Sequence, residues 1–192
     1  MDLTHGTYVH AGSIGQAEIL ESRFETVVEG QKDLVRRWMP GIDAPPFWRG
    51  ALGQEGPVDR WQVCEFQLPS VVIIDAGVAA VSAGSTLASH DQGVRGFVMD
   101  FMTPQSATRH HSFGGMVRNL DIDDAGFTAR FTRQQGGVCF EDKAIPEERQ
   151  PSLAGNPDLS PVPYRIDEGR VRARQLIARA IEAEATAMGE AA

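Results

Sequence analysis

Basic residues are scarce in this chain: 18 Lys and Arg stand against 26 Asp and Glu, for a formal net charge of −8. Affinity for nucleic acid comes from a basic surface that displaces counterions from phosphates, so the charge balance argues against that partner. Cysteine is nearly absent. Cys64 and Cys139 are too few and too far apart for a disulfide framework or a cysteine-only metal site; they suit a reducing, cytoplasmic setting and read as small buried residues in strands. No run approaches the roughly 18 consecutive apolar residues of a membrane-spanning helix, and the N-terminus lacks a basic-then-apolar signal pattern. Phosphate-loop, nucleophile-elbow and His-Glu-x-x-His motifs are missing as well. Gly114-Gly115 and Gly136-Gly137 have neither the spacing nor the context of a dinucleotide fingerprint.

What is present suits one domain: 192 residues with 42% hydrophobic content can enclose a substantial core. Arg23 to Glu29 and Lys32 to Met39, parted by Gly30-Gln31, read as a hairpin. Pro40 to Pro57 holds four prolines and four glycines and reads as a long loop, with Phe47 and Trp48 either closing over an apolar substrate or anchoring the loop. Five more strand-like runs follow, at 59–66, 70–75, 78–82, 95–102 and 107–118, broken by Pro69, Gly77, a polar stretch containing His90, and Thr103-Pro104. About seven strands with hairpin-type links imply an antiparallel sheet. On the last, His110 and His111 point to opposite faces, so at most one sees a pocket, and neither is needed as a ligand. Asp121, Asp123 and Asp124 lack the spacing of a calcium loop and read as a solvated acidic turn. A helix is expected from Asp142 to Gln150, then a proline-rich connector, then a final helix capped by Asp167. Its Ala173, Ile177, Ala180, Ile181 and Met188 recur at helical spacing, as for packing across the sheet. These elements alone define only an α+β fold.

The first ten residues need a chemical explanation, because they place His5 and His10 beside an acid, Asp2. Imidazole is the commonest protein ligand for iron, zinc and copper. On an ideal helix, however, a step of five residues turns the side-chain direction by roughly 140°, so the rings converge only if the helix is bulged or ends between them, with Gly6-Thr7 the place for it. A third ligand must come from elsewhere. Asp142 in Phe140-Glu141-Asp142-Lys143 completes a 2-His-1-carboxylate set, although the same residue at a helix start serves equally well as an N-cap.

The string Asp2-x-x-His5-x4-His10, with Ala11-Gly12-Ser13-Ile14-Gly15 after it, resembles the mononuclear-iron motif of Rieske-type aromatic-ring oxygenases of the vanillate O-demethylase and dicamba monooxygenase branch. The likeness continues in order through Pro57-Val58-Asp59-Arg60-Trp61, Met102-Thr103-Pro104, Val117-Arg118-Asn119, Ile122-Asp123-Asp124 and Phe140-Glu141-Asp142-Lys143. It implies ferrous iron on His5, His10 and Asp142, an electron-transfer role for Asp2, and a helix-grip sheet wrapped on helices. It implies a Rieske [2Fe–2S] cluster in the full-length protein as well. The paired Cys-x-His and Cys-x-x-His motifs that hold it are absent here, so residues 1–192 are expected to be a single catalytic domain, the C-terminal part of a longer oxygenase.

By the same resemblance, the reaction is O2-dependent hydroxylation or oxidative O-demethylation of an aromatic substrate, fed by a reductase or ferredoxin in a homotrimer. Asp100 stands where relatives contact substrate; Asp75, Trp48 and Phe47 are further substrate-binding candidates, the two carboxylates lying otherwise on the solvent face. From another functional class comes a non-catalytic helix-grip domain that binds an apolar or aromatic small molecule. A hydrolytic zinc site uses similar ligands but leaves the whole-chain resemblance unexplained.

Overall fold

The computed structural model describes residues 4–53, 55–81, 93–156, 158 and 162–190. Asp2 and His90 lie outside the described residues. The elements in chain order are a 3-10 turn (Thr4–Thr7), α1 (Glu18–Glu21), β1 (Phe24–Glu29), β2 (Lys32–Asp43), α2 (Pro46–Leu52), β3 (Pro57–Gln67), β4 (Val71–Ala80), β5 (Val94–Ser106), β6 (Arg109–Arg118), α3 (Ala125–Gly155), a second 3-10 turn (Arg165–Asp167) and α4 (Glu168–Glu190).

The six strands form one antiparallel sheet in sequential order, β1 to β6. The first hairpin turns on Gly30-Gln31 as expected, with Gly30 at φ +64°, where a side chain is strained. The runs expected as two strands on either side of Gly77 are one, β4, so the sheet has six strands rather than seven. Gly77 interrupts no pairing. It is required because a Cβ there would run into the Trp61 indole and the Val94 carbonyl.

The expected loop at 40–57 is also more ordered. β2 continues past Pro40 through an irregularity between Met39 and Ile42, where Gly41 at φ +64° donates its N–H to Asp59 Oδ1 at 3.0 Å. α2 then begins with Pro46, which is tolerated in a first turn.

One face of the sheet carries every helix. Side chains alternate along strands, and the register puts Asp33, Val35, Arg37 and Met39 of β2 on the same face as Arg60, Gln62, Cys64 and Phe66 of β3. Buried Arg37 and Arg60 reach from this face to the carbonyls of Ile19 and Ile14, pinning the N-terminal segment across it. Trp48 of α2 packs on Ala76, Val78 and Val94, and the space above Gly96 beside its ring is filled by the Met116 methyl. α4 docks on β2.

Only the first part of α4 is buried, through Ala173 and Leu176, while Ile181 and Met188 are 61% and 71% exposed. The apolar periodicity therefore outruns the sheet that it was expected to cover. Asp167 serves the 3-10 turn before α4 and not α4 itself: it is the last residue of that turn, and its carboxylate reaches back to accept the Tyr164 N–H at 2.9 Å.

The largest departure is α3. A helix was expected to start at Asp142, but α3 starts at Ala125 and is 31 residues long, with Pro146 and Pro151 inside it. Its true N-cap is Asp124, whose carboxylate accepts the Phe127 N–H at 2.9 Å. The acidic turn at 121–124 thus has a structural use. Arg118 at the end of β6 locks the first turns: it donates to the Leu120 and Asp121 carbonyls and to Thr128 Oγ1, and its guanidinium lies over the Phe127 and Phe131 rings.

Candidate metal centre

Asp142 lies mid-helix and is no N-cap. Its Oδ1 is 3.2 Å from His5 Nε2 and 3.0 Å from His10 Nε2. The three ligating atoms all fall within 4.8 Å of one another.

How the two rings converge is a matter of local backbone. The 3-10 turn ends at Thr7, between the histidines, with Tyr8 and Val9 N–H groups both on the His5 carbonyl. A chain reversal follows in which Ser13 and Gly15 N–H groups both donate to the His10 carbonyl at 2.9 and 2.8 Å. Gly15 then passes so close to Gly6 that a Cβ would overlap its carbonyl oxygen. The ring centroids come to 5.1 Å, inclined at 69°. The five-residue objection is met by termination of the helix.

Environment divides the two histidines. The His10 ring is only 4% exposed and that of His5 36%. Burial alone would lower the His10 pKa, but hydrogen bonds to Asp142 and Glu141 outweigh it and raise the value. Burial of Asp142 opposes ionisation, yet the hydrogen bonds from His10 and His5 hold its carboxyl well below the usual range.

The donor set suits a divalent transition metal. Donors bound at about 2.1 Å and at right angles to each other stand about 3.0 Å apart, close to the two measured imidazole–carboxylate separations. Two imidazole nitrogens and one carboxylate oxygen are the 2-His-1-carboxylate donor set that would leave positions open on non-heme Fe(II).

Asp100 is the predicted substrate residue that faces this centre. It is half-buried on β5, paired with Val72 and Gly114, on the helix-bearing face. Its Oδ1 occupies the space above Gly114; burial, and then the negative charge of Asp142, raise its pKa.

Asp75 is not brought together with it. The register pairs Asp75 with Phe97 on the opposite face, where it accepts Trp61 Nε1 at 3.1 Å and Arg95 Nε and Nη2 at 2.9 and 2.6 Å. Trp48 is 3% exposed in the core and Phe47 packs against Trp48 and Phe131, so the pair anchors α2 and does not form a lid. His110 and His111 are both exposed.

The sequence reading assigned no role to Glu141, Ser13 or Gly15. Glu141 Oε2 lies 2.7 Å from His10 Nδ1 and 3.0 Å from Ser13 Oγ. Its place beside Asp142 was the available signal; Ser13 and Gly15 stood only in the string that carries the resemblance, with no role of their own.

Comparisons with known proteins identify the family and the fold. Residues 1–183 match the family model of the vanillate O-demethylase oxygenase C-terminal domain. The vanillate O-demethylase oxygenase subunit of Pseudomonas sp. (strain ATCC 19151) is 44% identical over 97% of this chain and 58% of its own length. The dicamba O-demethylase oxygenase component of Stenotrophomonas maltophilia is 25% identical over 96% of this chain and 54% of its own. The chain thus spans little more than half the length of these curated relatives. Among solved structures, dicamba monooxygenase bound to 3,6-dichlorosalicylic acid superposes with a TM-score of 0.85 at 24% identity, over 96% of this chain and 54% of that one, which supports the α+β helix-grip fold. On the family match, the sheet topology and the near-complete coverage of its own length, this chain belongs to the vanillate O-demethylase oxygenase C-terminal domain family.

Proposed function

We propose that this chain is the catalytic domain of a Rieske-type non-heme iron oxygenase that hydroxylates or oxidatively O-demethylates an aromatic substrate. The observation that carries the reading is the approach of His5 and His10, both near the N-terminus, to one oxygen of the distant Asp142. Ferrous iron held by these residues supplies dioxygen activation. The chain's own contribution is to aim two imidazoles and a carboxylate at one point and to bury one of the rings. Opposite them it offers a sheet face bearing Cys64, Phe66, Ile74 and Val98 as an apolar wall. Asp100 is the polar group on that wall, suited to a hydroxyl or amine of the substrate.

The electrons for that chemistry would come from a reductase or ferredoxin by way of a Rieske [2Fe–2S] cluster held outside residues 1–192, with Asp2 the residue of this chain suited to relay them, within a homotrimer in the cytoplasm. Among the described residues no helix is long and apolar enough to cross a membrane.

Metal analysis tests the reading. After anaerobic incubation with Fe(II), close to one iron per chain is expected, with loss of binding in His5→Ala. Asp2→Asn is expected to keep the iron. A chain that takes up no metal yet binds an aromatic compound would instead be a small-molecule-binding domain, and the oxygenase reading would fall.

A further inference from the structure

Consecutive carboxylates of α3 take both nitrogens of a single buried imidazole: Asp142 Oδ1 stands 3.0 Å from His10 Nε2, and Glu141 Oε2 stands 2.7 Å from His10 Nδ1. We infer that Glu141, steadied by Ser13, is a positioning residue that fixes the tautomer and ring orientation of His10 and thereby sets the affinity of the centre for its metal. The inference rests on the metal reading above and adds a residue to it.

An ionised carboxylate can only accept hydrogen bonds, so Nδ1 must carry the proton. In the neutral ring that leaves the Nε2 lone pair directed at the point shared with Asp142 and His5. A half-turn of the ring would set Cδ2 against Glu141 and forfeit a bond whose length is at the short end of the charge-assisted range. With 4% of the ring exposed, water has little access to replace that bond.

Ser13 completes the brace. Its Oγ donates to the same Glu141 oxygen at 3.0 Å, while its own N–H is held by the His10 carbonyl at 2.9 Å. The ring, its acceptor and the acceptor's support therefore form one closed circuit joining the N-terminal turn to α3. Partners of this kind orient metal-ligating histidines and raise their basicity, and their removal weakens binding about 10- to 100-fold.

Cobalt(II) titration of the chain, followed by visible absorption and paired with melting of the metal-free protein, provides the test. Glu141→Ala is expected to weaken cobalt binding about 10- to 100-fold at unchanged stoichiometry. Glu141→Gln keeps an acceptor oxygen for Nδ1–H and is expected to recover most of the loss, and Ser13→Ala is expected to fall between the parent and Glu141→Ala. In the zinc-loaded protein, long-range 1H–15N spectra are expected to report His10 protonated at Nδ1. Cobalt binding by Glu141→Ala within twofold of the parent, or failure of the Gln variant to recover what Ala loses, would each overturn the inference with the metal reading intact, whereas a His10 protonated at Nε2 in the zinc-loaded protein would overturn both. A parent chain that binds no cobalt would overturn both.

Discussion

Gly15 has no side chain to offer the centre, but its backbone lies where a Cβ would overlap the Gly6 carbonyl. Gly15→Ala must therefore push the reversal after His10 away from the turn that carries His5. Iron binding is expected to weaken by more than tenfold and the melting temperature to fall, as titration and thermal unfolding will show.

Asp33 poses a different problem. It is 0% exposed on β2, and among the described residues neither oxygen accepts a hydrogen bond. Burial, partly offset by Arg172 and reinforced by Glu168, leaves its pKa pushed up to about 6. The folded protein then binds more protons than the unfolded chain between about pH 4 and 6, so this residue's contribution to stability declines as pH rises through that window. Asp33→Asn is expected to gain stability relative to the parent above about pH 6 and to lose that advantage near pH 4. Parallel denaturant titrations across the range measure the difference.

At this scale the sequence pointed to the trio His5, His10 and Asp142 through the resemblance and not through spacing, because five residues on a regular helix diverge. Which of Asp75 and Asp100 faces the centre depends on the register between β4 and β5. A slip of one residue between the strands would put both carboxylates on the same face, and residue types alone do not set the register.

Among the elements, strands were legible from alternation, and the misreadings came from glycine and proline. Gly77 looked like a break because nothing nearby in sequence reveals that Trp61 needs the space above it. Pro146 and Pro151 argued for a short helix, whereas α3 runs through both. Most of its second half is exposed, so backbone groups freed by the prolines can bind water. Phe47 and Trp48 could not be told from a lid, since an aromatic pair in a proline-rich stretch has the same composition in either role.

Trp48→Ala is accordingly expected to destabilise the fold by about 3–5 kcal/mol, measured by denaturant unfolding, as a core residue would and a lid residue would not. Arg118→Lys keeps the charge but loses the planar fork that spans Leu120, Asp121 and Thr128. Amide exchange in the first turns of α3 is expected to accelerate while the sheet remains protected.

For the molecule as a whole, the α+β class and the antiparallel sheet followed from local patterning, and the helix-grip arrangement from the family resemblance. The sheet pairs each strand only with its neighbours in sequence. It can zip one hairpin at a time, without a distant partner to wait for. The link between His10 and Glu141 is of another kind, spanning 131 positions. It works as a clasp on an otherwise linear assembly. With α3 undocked, Asp142 stays away from both imidazoles, so the three side chains come within reach of one another once this last contact closes, and their convergence reports that folding is complete.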